Sequence, residues 1–252
     1  MAVKICVASG KGGTGKTSIS SGIACCLAGL GYRVVVLDGD IGLRNLDLAL
    51  GLNERAIFDF YDVILGRATL KQALVPHDNI ENLHLLAAPF GTELPDVTKE
   101  QMSDLIASID EICDYCIIDC PAGIGSWIDT IASVSDRALM VATPDNTSLR
   151  DAGVTRKFLK ARGVSDIRLI LNRVRPKLIN KMNAVNIDDA IDFTGIQLIG
   201  IVPEDQTVIA CANKGDPVVF HMNSYAARAY RNIARRVVGM RVPLMKIPRK
   251  TV

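Results

Sequence analysis

The sequence lacks the features that carry a chain into or across a membrane. No stretch approaches the roughly 18 consecutive apolar residues of a bilayer span, and the opening MAVKICVASGKGG holds too short an apolar run for a secretory leader. Seven cysteines, an odd number without such a leader, argue against a disulfide framework. Histidine is scarce: His77, His84 and His221 are the only three, and they fall in no metal-ligand spacing. Repeats, low-complexity runs and linkers are also missing, so the 252 residues are expected to fold as one domain. A cytoplasmic protein is the expectation.

Acid is missing from one end. From residue 217 onward there is no Asp or Glu, while Arg228, Arg231, Arg235, Arg236, Arg241, Lys246, Arg249 and Lys250 lie there. Of 29 Lys and Arg in all, 21 therefore face 27 Asp and Glu in residues 1–216. A basic helix and tail over about 225–252, on an acidic body, suit an anionic surface such as lipid or nucleic acid, or simply a solvated helix face.

What is present is apolar and periodic. Hydrophobic residues make up 49% and charged residues 22%, enough for a sizeable core. Short β-branched runs predict strands over 4–9, 33–38, 83–88, 115–119, 138–143, 167–172 and 198–202. Amphipathic stretches predict helices over 17–30, 99–112, 148–162 and 225–238. Runs such as VVVLD and CIID are apolar on both faces, as in a parallel sheet covered on both sides. The expected fold is a single doubly wound α/β domain with a mostly parallel sheet flanked by helices.

The stretch Gly10-Lys11-Gly12-Gly13-Thr14-Gly15-Lys16-Thr17 fits G-x-x-x-x-G-K-[ST], with a strand before it and a helix after it. The glycines let backbone N–H groups close on phosphate oxygens, and a helix N-terminus favours the anion. Lys16 should reach the β- and γ-phosphates and Thr17 should ligate Mg²⁺. Asp38 and Asp40 follow the second strand, and Asp119 is expected to end the strand YCIID before Pro121-Ala122-Gly123 turns away. Carboxylates at the carboxyl ends of parallel strands meet the ligand and hold Mg²⁺ through water.

A lysine as the second residue of the loop, in K-G-G-T-G-K-T, resembles the deviant Walker A motif of the MinD/ParA family of P-loop ATPases. LDGDIGLRNLDLALGL, DCPAGI, LNRVRP and GIVPED extend the resemblance to about Leu244. The first of these resembles the branch that regulates division-septum placement. The resemblance implies an ATP- and Mg²⁺-dependent homodimerising ATPase. Lys11 would reach across the dimer to the partner's phosphates, and Asp40 would position the attacking water. Asp38, Asp119 and Thr17 would surround the metal. Gly12, Gly13, Thr14, Gly15 and Ser18 would complete the phosphate cradle, with Asn172, Arg173, Pro203 and Asp205 on the adenine side. It also implies a protein activator or septation inhibitor of the Min type and reversible association with the inner face of a bacterial membrane. The alternative within the family is a ParA-like or flagellar-number ATPase positioning DNA or another cargo.

The chain departs from that pattern in three places. Pro243 and Pro248 interrupt the expected membrane-binding terminal helix. Cys120 stands where the family commonly has serine, and Gly125 where it often has an acidic residue. Cys113-x-x-Cys116 with Cys120 nearby suggests a metal or cluster site, but buried apolar thiols are the expectation. Trp127 is either a core residue or part of a dimer face.

Overall fold

The runs of Val, Ile and Leu pair into an eight-stranded sheet. The computed structural model describes residues 1–41, 44–91, 97–176 and 184–245. The strands are β1 (Val3–Ser9), β2 (Val34–Asp38), β3 (Leu74–Pro76), β4 (Leu83–Leu86), β5 (Tyr115–Ala122), β6 (Arg137–Ala142), β7 (Asp166–Val174) and β8 (Gln197–Pro203). The helices are α1 (Lys16–Ala28), α2 (Leu46–Leu50), α3 (Phe60–Ile64), α4 (Leu70–Ala73), α5 (Lys99–Asp110), α6 (Ser126–Ser133), α7 (Asn146–Lys160), α8 (Ile187–Thr194), α9 (Gln206–Lys214) and α10 (Tyr225–Val237).

The strand order is β3-β4-β2-β5-β1-β6-β7-β8, and every pair but one is parallel. The exception is the edge pair β3–β4, which is antiparallel. The sequence reading missed β3 because three residues ending in Pro76 carry no alternation. Proline is tolerated there because an edge strand leaves one row of N–H positions unpaired. The short helices α2 to α4 were also unpredicted. Of these, α3 and α4 are held by caps more than by periodicity: Asp59 and Thr69 each head a capping box.

Two apolar layers cover the sheet. One, with Phe60, Leu105, Ile109, Trp127 and Leu149, lies under α5, α6 and α7. The other, with Ile19, Ile23, Leu50, Tyr230 and Ile233, lies under α1 and α10. All five residues of β2 are buried, as its unbroken apolar run requires. Helices α1 and α10 approach closely because Gly22 has no side chain; a Cβ there would overlap the fully buried Tyr230 ring. All seven cysteines are buried and free. Cys113, Cys116 and Cys120 form no ligand group among the described residues, and Cys113 Sγ donates to Ile109 O at 3.3 Å.

No helix of the described residues is long and apolar enough to cross a membrane. Residues 241–245, with Pro243, are not helical. The remaining tail, with Lys246, Ile247, Pro248, Arg249 and Lys250, lies outside the described residues. The cations of α10 are partly committed to the fold. Arg236 donates to Ile199 O at 2.8 Å, Val242 O at 3.1 Å and Pro243 O at 2.8 Å, and Arg231 donates to Val219 O at 3.2 Å.

Candidate functional site

The central strand β1 delivers the glycine-rich turn to the carboxyl edge of the sheet, between β5 and β6. The backbone there needs glycine: Gly13 and Gly15 have φ of 75° and 92°. Gly15 also has no room for a side chain, because a Cβ would overlap Asn172 Nδ2. Ser9 Oγ donates to Lys11 O at 2.8 Å and steadies the start of the turn. Helix α1 then begins at Lys16 with no side-chain cap and no acid in its first turn. Its first amides are left for an anion. The buried Thr14 Oγ1 also has no partner within the chain. An uncapped helix end, an orphaned hydroxyl and a buried lysine make a cradle suited to phosphate.

Beside the cradle, sheet register sets two carboxylates side by side. Asp38 and Asp119 are paired residues of β2 and β5, and both are buried. Asp38 accepts from Asp40 N at 3.0 Å and Leu46 N at 3.4 Å. Asp119 accepts from Ser20 Oγ at 2.8 Å. Burial, reinforced by the charge of Asp119, pushes Asp38 up to about 8. Burial raises Asp119 to about 6, while the Thr17 and Ser20 hydroxyls and Lys16 restrain it. Two hard oxygen donors that resist ionising together, with the Thr17 hydroxyl adjacent, are the donor set of a site for a small divalent cation.

Asp40 is half-buried two residues beyond β2; burial raises its pKa, and Lys16 opposes that shift. Lys11, Gly12 and Gly13 are exposed on the rim. Asp119 lies within β5 and not at its end: pairing runs on to Ala122, and the turn comes at Gly123 with φ 86°. The extension arises where β1 shifts register between Val7 and Ser9, letting Ser9 pair with Ala122.

The four residues expected on the base side converge. Asn172, Arg173, Pro203 and Asp205 line one groove with Gly15 and Ser18. Their side chains do different work. Asn172 Nδ2 donates to Thr14 O at 2.7 Å, tying β7 to the cradle. Arg173 is exposed with φ 55°, a left-handed backbone that a bulky residue holds only under constraint. Asp205 caps α9 through Thr207 N at 2.9 Å and binds Ser224 Oγ at 2.7 Å and Ala226 N at 3.1 Å at the start of α10. Its carboxylate is thus committed to two helix ends.

Two residues of the site, Ser20 and Gly39, were not singled out from sequence, and for Trp127 the sequence does not separate a core role from a dimer-face role. Ser20 lies one helical turn beyond Lys16, so the i, i+4 spacing on α1 was its available signal. Gly39 is a junction: its N–H donates to Asp119 O at 2.8 Å, and a Cβ would approach that oxygen to 2.7 Å. Trp127 proves to be a core residue, 8% exposed. It stacks on Phe60 with centroids 5.8 Å apart, and its indole N–H donates to Gly39 O at 2.7 Å. No local pattern could have paired residues 88 positions apart.

Known proteins share this architecture. Residues 5–218 match the CobQ/CobB/MinD/ParA nucleotide binding domain. The septum site-determining protein MinD of Synechocystis is 39% identical over 242 residues, 96% of this chain and 91% of its own. The fold is similar to MinD in the MinC:MinD cell division protein complex of Aquifex aeolicus, at a TM-score of 0.91 and 33% identity, covering 97% of this chain and 99% of that one. It is also similar to the Pyrococcus horikoshii MinD complexed with Mg-ADP, at a TM-score of 0.85 and 28% identity, covering 95% and 97%.

Proposed function

Because the chain belongs to the CobQ/CobB/MinD/ParA nucleotide-binding family, we propose that it is a Mg²⁺-dependent, ATP-driven dimerising ATPase that places the division septum, as its MinD relatives are named for doing. The observation that carries the chemistry is the pair Asp38–Asp119 set in register beside the buried Lys16. The cradle of residues 10–17 binds the phosphates, with Lys16 neutralising the β/γ charge. Asp38, Asp119 and Thr17 would hold Mg²⁺, which would supply neutralisation of the phosphate charge. Asp40 orients the attacking water. Gly15, Ser18, Asn172, Arg173, Pro203 and Asp205 form the base-side groove.

Lys11 extends from the exposed rim while Lys16 serves its own site. Its cation is supplied in trans, so assembly and hydrolysis are coupled. A Min-type partner is supported by the MinC:MinD complex of the Aquifex relative. Association with an anionic membrane is carried by the basic tail, and the cell-interior location follows from that role. The DNA-positioning alternative is less favoured, because Arg231 and Arg236 already donate to backbone carbonyls.

Light scattering with ATP, and co-sedimentation with anionic vesicles or duplex DNA, test this reading. The expected result is an ATP-dependent dimer that pellets with vesicles, and loses that binding when residues 242–252 are deleted. A chain that remains monomeric with ATP would refute the switch. ATP-dependent binding to DNA alone would select the alternative.

A further inference from the structure

The connection between α9 and α10 brings three soft and borderline donors together, away from the cradle. Cys211 Sγ, an Asp216 carboxylate oxygen and a His221 ring nitrogen all lie within 4.8 Å of one another. We propose that Cys211, Asp216 and His221 bind one divalent transition-metal ion of the Zn²⁺ class, with water in the open fourth position.

The scaffold that presents them is local and hydrogen-bonded. Helix α9 ends at Gly215 with φ 64°, and Asp216 N donates to Cys211 O at 3.0 Å. That left-handed exit folds Asp216 back over Cys211. A short 3₁₀ turn, Val218–Phe220, then returns the chain, and His221 N donates to Val218 O at 3.0 Å. The loop is seated against the C-terminus of α2, where a Cβ at Gly51 would overlap Gly215 O. The donors are thus presented by a turn with few degrees of freedom.

The donor types select the ion. One thiol, one imidazole and one carboxylate suit Zn²⁺ or Co²⁺; they do not suit Mg²⁺ or Ca²⁺, which take oxygen. Burial is graded across the set: Cys211 is buried, Asp216 intermediate and His221 exposed. A thiol floor with a solvent-facing mouth gives an entry path and room for water. Without metal, His221 Nε2 meets Asp216 Oδ2 at 2.7 Å. On binding, the Cys211 thiol proton leaves to solvent, and sulfur and metal form the new bond. The proton that Nε2 holds against Asp216 Oδ2 passes through solvent to Nδ1, so the imidazole stays neutral and Nε2 is freed for the metal. The sequence offers no ligand spacing for His221. The ligand steps are five residues each, which fit neither a CxxC nor an HxxxH pattern, and only the turn at Gly215 closes them.

Co²⁺ titration of the metal-free full chain tests the site. Saturation at one Co²⁺ per chain with a sulfur-to-cobalt charge-transfer band, bleached by Zn²⁺, is expected. Cys211→Ser should lose that band, and His221→Gln and Asp216→Asn should each weaken Co²⁺ binding by about tenfold or more. Zn²⁺ should raise the melting temperature of the parent but not of Asp216→Asn, whose half-buried position in a surface turn spares the core. Absence of a thiolate band at saturating Co²⁺ would overturn the proposal, leaving a His–Asp ion pair. A band that survives in folded Cys211→Ser, or Co²⁺ affinity unchanged in Asp216→Asn and His221→Gln, would overturn it equally.

Discussion

The indole N–H of Trp127 donates to the backbone carbonyl of Gly39 at 2.7 Å. Gly39 separates Asp38 from Asp40, and its own N–H is held by Asp119 O at 2.8 Å. One residue at the start of α6 is therefore fastened to the turn between two site carboxylates, with Phe60 stacked behind it. Trp127→Phe should keep the stack and lose the hydrogen bond. We expect a stability loss of about 1 kcal/mol in urea melts. ATP affinity should stay within a few-fold while kcat falls by roughly tenfold, about 1.4 kcal/mol of transition-state positioning. An unchanged kcat would show that the indole only fills the core.

The two loop lysines should separate by role. Lys16→Ala should abolish nucleotide binding, because the buried cation of the cradle is removed. Lys11→Ala should bind ATP yet fail to dimerise and hydrolyse. Mixing the two variants should restore part of the activity, since one complete site assembles from two defective chains. Light scattering and ATPase assays of the mixture report this. Full activity of Lys11→Ala alone would reduce that lysine to a surface residue.

Asp40→Ala should retain ATP and lose hydrolysis by about 10²-fold or more, accumulating as an ATP-bound dimer. The half-buried Asp40 is oriented by its own N–H on Asp38 Oδ1 at 3.0 Å. Single-turnover assays with size-exclusion chromatography give the readout. Parental turnover would remove Asp40 from the water-positioning role.

Asp38 links stability to pH. Burial, then the nearby Asp119 charge, raises it from 3.8 to about 8. The folded state therefore holds a proton that the unfolded chain releases. This contribution to stability is full below 3.8 and declines as pH rises through about 8, by up to about 1.4 kcal/mol per pH unit. In nucleotide-free, Mg²⁺-free buffer, Asp38→Asn should melt several degrees above the parent at pH 8, with the gap closing as pH falls. The same substitution should abolish Mg²⁺-dependent hydrolysis. A variant less stable than the parent at pH 8 would contradict the burial argument.

Local chemistry in the sequence determined much of this protein. Unbroken apolar runs predicted the buried parallel strands, because a strand covered on both faces has no polar side to show. The helix over 225–238 and those over 17–30, 99–112 and 148–162 appear within about two residues. The phosphate loop was readable because Gly13 and Gly15 must adopt left-handed backbone and Lys16 must follow them. Tertiary structure decided the rest. The antiparallel edge strand β3 is too short for a pattern. Asp38 and Asp119 become a pair only when β2 and β5 take their register. Trp127 became a clasp on Gly39, Asp205 a cap for two helices, and Cys211, Asp216 and His221 one cluster. Each depends on distances closed by folding, where hydrogen-bond geometry and burial act between residues that the chain order keeps apart.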